Sequence, residues 1–401
     1  MDEAHKQDHH HHHHHHVLLP LLQALRKAIK DLQINPISGL LCQNNTKPAI
    51  AALFELETIA EPIISENPSL FINLSRLLVN LRTLLQNLEK LQGFNLRSLC
   101  FRPITNYKIL QISRAIEPEI ESCIDREIVL ELVTELGRST DENERVRILI
   151  EFRHRVSKGF DRDFQELVLR GRAFSVLESV LVDSSISGSD SKRVRDEAAL
   201  LVLALVEFNK DVFVGLVLMG PTIRALISIA SSCSIRVLSS LIRLIKTPLV
   251  DEIEANGEIP RLLDLLSSEE EDFGVRVAAL NCVFEIGFFG RKEVIEAMLE
   301  EGLMKKLVNL QRRMERESEL AEAVRLGESE IGEDDGDGME SNSPCENCIA
   351  RFVVQIQAGE SLEKREKREF KSKILKMVRE ASVSDAEFAA IVAEVVWGSS
   401  P

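Results

Sequence analysis

The chain has 401 residues, of which 44% are hydrophobic and only 5% aromatic, and it carries a formal net charge of −15 at pH 7. That length admits two or three domains with a sizeable core. The acidic balance argues against a general nucleic-acid binder, which needs clustered Lys and Arg. Packing falls to Leu, Ile, Val and Ala, as in stacked helices, with one Trp and one Tyr in the whole chain. Cysteines stand at 42, 100, 123, 233, 282, 345 and 348. Several lie on apolar helical faces, where a free thiol behaves as a small hydrophobe, and this usage predicts a reducing compartment. No signal-peptide pattern opens the sequence, and no apolar run reaches about 18 residues. The expectation is a soluble protein, cytoplasmic and/or nuclear, with no transmembrane segment. Asn44-Asn45-Thr46 and Asn73-Leu74-Ser75 match the glycosylation pattern, which carries no meaning inside the cell.

Residues 1–16 include the unbroken run His9 to His16, either an expression tag or a native low-complexity tract. It is set apart from the fold and assigned no metal. Residues 17–125 read as an N-terminal helical bundle. Val17, Leu18, Leu21, Leu22, Leu25, Ile29 and Leu32 form one amphipathic stripe that stops near Asn35-Pro36. A second helix starts near Pro48 and carries Ile50, Leu53, Leu56 and Ile59. Asn67-Pro68 is a cap followed by a first-turn proline, ahead of a leucine stripe from Leu70 to Leu91 that ends at Gly93. A fourth helix is expected from Tyr107 to Cys123.

Residues 126–326 read as helical repeats. A lead-in helix through Ile128, Leu132 and Leu136 ends at Gly137, and Ser139 with Glu142 has capping-box spacing before Val146, Ile148, Leu149 and Phe152. His154 sits between Arg153 and Arg155 with no nucleophile or carboxylate spaced to partner it, so it reads as a surface residue. The pattern then restarts at Gly171, Gly220, Gly257 and Gly302, in steps of 49, 37 and 45 residues. After each glycine comes an apolar helix, and then a second helix rich in small residues, such as Ala198-Ala199 and Ala278-Ala279. Such a unit cannot bury its apolar face alone, so neighbours must stack. The polar run Ser184 to Ser191 reads as an exposed loop within the first unit.

A charged helix is expected from Lys305 to Leu326. Residues 327–344, GESEIGEDDGDGMESNSP, have no apolar periodicity and read as a disordered acidic linker. Residues 345–401 read as a separate C-terminal helical segment. Cys345 and Cys348 form a lone CxxC, without the further ligands that zinc needs, and Cys348 instead opens the apolar series Ile349, Phe352, Val353 and Ile356. Phe370, Ile374 and Val378 stripe a helix whose other face alternates Lys and Arg with Glu, and Ser384 with Glu387 has capping-box spacing before a last helix.

The stretch Asn256 to Leu310 resembles an armadillo repeat. The segment ELVTELGRSTDENERVRILIEFRHRVSK, with the bundle before it, resembles plant U-box armadillo ubiquitin ligases. The fold so implied is all-α: an armadillo-like right-handed α-solenoid preceded by an N-terminal helical bundle. The U-box itself is missing, since nothing between bundle and repeats matches its Cys-Pro-Ile entry or its Trp, and the single Trp here is Trp397. Peptide-binding armadillo proteins place Trp and Asn four apart on each third helix. The aligned pairs here are Leu200 with Ala204, Ser239 with Arg243, and Asn281 with Glu285. None is that pair, so the groove is expected to suit a particular folded or helical partner. Ser239, Arg243, Asn281 and Glu285 are the expected partner-binding residues, with no catalytic residues and no cofactor. The expected function is a non-catalytic adaptor binding a protein partner. A ubiquitin-pathway component acting with a separate ligase is the alternative that the resemblance implies.

Overall fold

The computed structural model describes residues 18–33, 68–90, 96–139, 141–183, 189–267, 272–313, 316 and 347–397. Every regular element among them is an α-helix. The described residues fall into two compact units: those up to 139 together with 160–173, and those at 141–159 together with 174–397.

The first unit comprises α1 (18–33), α2 (Pro68–Lys90), α3 (Leu96–Glu135) and a short helix, Arg162–Arg170. Leu18, Leu22, Leu25 and Ile29 of α1 and Leu74, Leu78, Leu81 and Leu85 of α2 are buried, as their spacing predicts. Lys30 pairs with Glu117 of α3 at 3.3 Å, and Gln33 donates to the Ser113 carbonyl at 3.1 Å. Two helices expected around 107–123 and 128–136 are a single helix, α3. Its buried residues Ile116, Ile120, Ile124, Ile128 and Leu132 recur every four positions with no glycine to interrupt them. Pro103 and Pro118 lie inside α3 and are both exposed. Each proline removes one helical hydrogen-bond donor, a loss that an exposed position tolerates better than a buried one. The helix expected from Pro48 and the Asn67 cap lie outside the described residues.

The second unit opens with α4 (Glu142–Val156). Its cap is Asp141, whose carboxylate accepts the Asn143 N–H at 3.0 Å, and not the expected Ser139. The Ser139 N–H is spent on the Glu135 carbonyl at 2.8 Å, in the turn that closes α3. In chain order the short helix Arg162–Arg170 is α5, followed by α6 (Ala173–Val182) and α7 (Ser189–Phe208). Residues 189–191, expected in a loop, therefore belong to α7; residues 184–188 lie outside the described set.

Three helical triplets follow. They are α8 (Lys210–Met219), α9 (Thr222–Ile229) and α10 (Ser232–Ile245); α11 (Thr247–Ala255), α12 (Ile259–Asp264) and α13 (Phe273–Phe289); and α14 (Lys292–Glu300), α15 (303–313) and α16 (Cys348–Ala358). Helices α17 (Lys364–Ala381) and α18 (Asp385–Trp397) close the unit. The glycine restarts fall at the turn between the first and second helix of each set. Gly257 and Gly302 take φ of 66° and 77° there, a region that a side chain resists. The short first helices were not separated in the sequence reading, because they carry no restart signal of their own.

The long third helices form one layer: α4 packs on α7, α7 on α10, α10 on α13, and α13 on α16. Ala278, Ala279 and Leu280 are buried between neighbours, as expected. The last of these contacts joins residues on either side of the acidic stretch. A Cβ at Gly287 would lie 2.8 Å from the Phe352 ring, so the glycine makes room for that fully buried side chain. The Arg351 guanidinium lies 4.7 Å from the Phe284 ring centroid, and the Glu360 N–H donates to the Phe288 carbonyl at 3.2 Å. Helix α16 therefore occupies the third-helix place of the α14–α15 set. Residues 327–344 lie outside the described residues, but the chain they connect belongs to one repeat. The fold is an all-α, armadillo-like α-solenoid.

Gly287→Val should strain this contact by about 1–3 kcal/mol, the cost of overpacking a filled core. The thermal midpoint is expected to fall by several degrees with α-helical content retained, measured by circular dichroism.

Candidate partner-binding face

Each third helix carries a stripe of exposed or half-buried residues at helical spacing. The stripes run through Arg147, Ile150 and His154 on α4; Arg193, Glu197, Leu200 and Ala204 on α7; Arg236, Ser240 and Arg243 on α10; Val277, Asn281 and Glu285 on α13; and Arg351 and Gln355 on α16. The helices adjoin in that order, so the stripes make one continuous face. Polar contacts link them laterally. Arg153 pairs with Glu197 at 2.9 Å, the Lys192 ammonium donates to the Ala230 carbonyl at 3.2 Å, and the Ser231 hydroxyl donates to Asp196.

Three of the four expected binding residues lie on this face. Asn281 is exposed, Arg243 is exposed, and Glu285 is half-buried. Arg243 and Glu285 face each other across α10 and α13 with a nitrogen–oxygen distance of 3.6 Å. Arg243 also donates to the Ser240 hydroxyl at 3.2 Å. Ser239 departs from the expectation: it is only 4% exposed. Helix α13 covers that side of α10, with the Cys282 thiol 3.2 Å from the Ile235 carbonyl one turn before Ser239. The half-buried Ser240 takes the place on the face. Sequence reasoning also passed over Arg236 and Arg351. Counting in steps of three and four from Arg243, or continuing the stripe past the acidic stretch, would have reached both.

The electrostatics of the face are those of partly desolvated charge. Burial raises the Glu285 carboxyl above its usual range, and Arg243 offsets only part of that rise. Burial likewise raises Asp196, against the Ser231 hydrogen bond and the nearby Lys192 and Arg195. The thiol of Cys233 is pushed up to about 11 by burial and by Asp196, and that of Cys282 is driven up mainly by burial. Both stay protonated near neutral pH and are poor nucleophiles. Among the described residues, no group of three or more His, Cys, Asp or Glu is placed to hold a metal ion. No single helix among them is long and apolar enough to cross a membrane.

Comparison with protein families and with curated proteins returned no match. Among solved structures, the chain is similar to an engineered protein from a structural genomics consortium, at 17% identity and a TM-score of 0.42, over 67% of this chain and 99% of that one. It is also similar to computationally designed armadillo repeat proteins for modular peptide recognition, at 17% identity and TM-score 0.41, over 67% and 97%. A designed armadillo repeat protein in complex with the peptide (KR)4 aligns at 15% identity and TM-score 0.41, over 67% and 98%.

The raised carboxyl of Glu285 gives a signed expectation. A folded-state pKa above the unfolded value contributes stability at low pH that is lost as pH rises through it. At pH 7 the wild-type chain therefore carries the cost of a partly buried carboxylate, and near pH 4 it does not. Glu285→Gln should match or exceed the wild-type thermal midpoint at pH 7, with the difference disappearing near pH 4, as read by thermal unfolding at the two pH values.

Proposed function

We propose that the protein is a non-catalytic adaptor that binds a protein partner on the face formed by α4, α7, α10, α13 and α16. The observation that carries this reading is the pair Arg243 and Glu285. It sits near the middle of a five-helix face, and burial raises the cost of ionising Glu285. A charged pair at the centre of an accessible face suits recognition. The face mixes cations, carboxylates, two amides and the apolar side chains of Ile150 and Leu200. That variety favours a partner with its own fixed surface over a uniform extended peptide. The location is proposed to be the cytoplasm or nucleus.

Charge reversal tests the reading. Truncating a charged residue at the centre of an interface costs about 2 kcal/mol or more, roughly thirtyfold in affinity, when its surroundings are desolvated on binding. Arg243→Glu and Glu285→Arg, made singly and together, should each abolish co-purification of the partner retained by the wild-type chain. The double variant restores the intramolecular attraction with its polarity inverted, so its thermal midpoint should stay near wild type while binding remains lost. Retention of the same partner by the double variant would overturn the reading. A ubiquitin ligase or conjugating enzyme as the retained partner would extend the resemblance to U-box ligases from sequence to pathway.

A further inference from the structure

A second charged surface lies on α17, outside the layer of third helices. Lys and Arg make up eight of its 18 residues against three Glu, in a chain of net charge −15. The sequence alternates these signs, but the helix sorts them. Phe370, Ile374 and Val378 are buried on its inner side. Glu366 is half-buried and accepts the Glu363 N–H at 2.9 Å, at the start of the helix. The exposed side of α17 then carries Lys364, Arg365, Arg368, Lys373, Lys376 and Arg379, against Glu369 and Glu380 of opposite sign.

Some of the helix's cations are spent on the fold. The Lys367 ammonium donates to the Gln357 and Gly359 carbonyls at 3.0 and 2.7 Å, and that of Lys371 to the Val395 carbonyl at 3.3 Å. These two tie α17 to α16 and α18. Arg365 pairs with Glu369 at 2.8 Å, and the Arg379 guanidinium lies 5.4 Å from the Phe388 ring centroid. Lys364, Arg368, Lys373 and Lys376 are different: each is exposed, with no hydrogen bond or ion pair to any described residue. Lys364, Arg368, Ser372 and Lys376 stand four apart and so follow one side of the helix. At 1.5 Å per residue, the cationic side runs about 22 Å from position 364 to position 379.

We propose that the outer side of α17 docks an acidic segment of a protein partner, whose carboxylates engage Lys364, Arg368, Lys373 and Lys376. An extended segment of about seven residues covers that length. An anionic membrane fits less well, because every apolar side chain of α17 is buried or half-buried and none is left to enter the lipid. The one aromatic ring of the helix, Phe370, is buried, so a nucleic-acid base would find nothing there to stack on. A membrane or a long polyanion would also meet the repulsion of the whole acidic chain. A short segment held within a Debye length of about 8 Å feels chiefly the local cations. This surface and the face through Arg243 use different helices, so either can fail without the other.

The test is fluorescence anisotropy of a labelled Asp/Glu-rich peptide of about eight residues, titrated with the full chain. Binding is expected, weakening with added salt. It should fall by about tenfold or more in Arg368→Gln/Lys373→Gln/Lys376→Gln at an unchanged thermal midpoint. Lys376→Gln alone should give a smaller fall and keeps the test readable if the triple variant unfolds. Glu369→Gln/Glu380→Gln removes the opposing charges and should tighten binding. Absence of binding by the wild-type chain, or equal binding by the triple variant, would overturn the proposal. So would variant-sensitive binding of anionic lipid vesicles or of a DNA duplex without binding of the peptide. Peptide binding that appears only after Glu328, Glu330, Glu333, Asp334, Asp335 and Asp337 are changed to Gln and Asn would also overturn it, assigning the surface to the chain's own acidic residues.

Discussion

The second unit depends on the contact between successive third helices. Each triplet has an apolar face that it cannot cover itself, so burial is completed only by the next triplet. Small residues set how closely those helices approach. Ala198 and Ala199 on α7, and Ala278 and Ala279 on α13, are all essentially inaccessible, and Gly287 accepts the Phe352 ring. Burying one such phenylalanine is worth about 1.5–3 kcal/mol, and several of these contacts in series hold the stack.

Polar ties then fix neighbours layer by layer. First helices are joined by Asp251 and Arg291 at 3.1 Å. Second helices are joined by Glu178 and Thr222 at 3.0 Å, Arg224 and Glu258 at 2.8 Å, and Asp264 and Lys306 at 2.6 Å. Third helices are joined by Arg153 with Glu197 and Arg243 with Glu285. Burial works against ionisation of some of these carboxylates. Glu178 is raised above its usual range by burial despite the Thr222 hydrogen bond, and Glu285 and Asp196 are raised as well. Apolar packing supplies the cohesion, and these pairs add polar links between one triplet and the next.

The parts of this fold legible in the sequence were those set by local periodicity: the leucine stripes of α1 and α2, the glycine turns at 220, 257 and 302, and the buried alanines of α13. Other features depend on three-dimensional neighbours and left weaker traces. The continuity of α3 through Pro118 depends on which side of the helix meets solvent. The exchange of Ser239 for Ser240 on the accessible face depends on where α13 lies over α10, which helical spacing alone does not give. The grip of Arg312 on Glu387 joins positions more than seventy apart. None of these side chains is unusual in its own sequence context.

The place of α16 shows how packing overrides proximity in sequence. A third helix normally follows its second helix closely: only residues 230 and 231 separate α9 from α10. Between α15 and α16 the interval runs from 314 to 347. Closure entropy rises only with the logarithm of length, so even a fully flexible connection of that length would cost no more than about 2.5 kcal/mol over the short one. Docking α16 buries Cys348, Ile349, Phe352, Val353 and Ile356 against the layer and supplies α18 with a surface to pack on. At about 1.5–3 kcal/mol for each large side chain, the gain exceeds the closure cost severalfold. An acidic segment can therefore interrupt a repeat without ending the solenoid, because the energy that defines the repeat lies in the contact between third helices and not in the connection that leads to them.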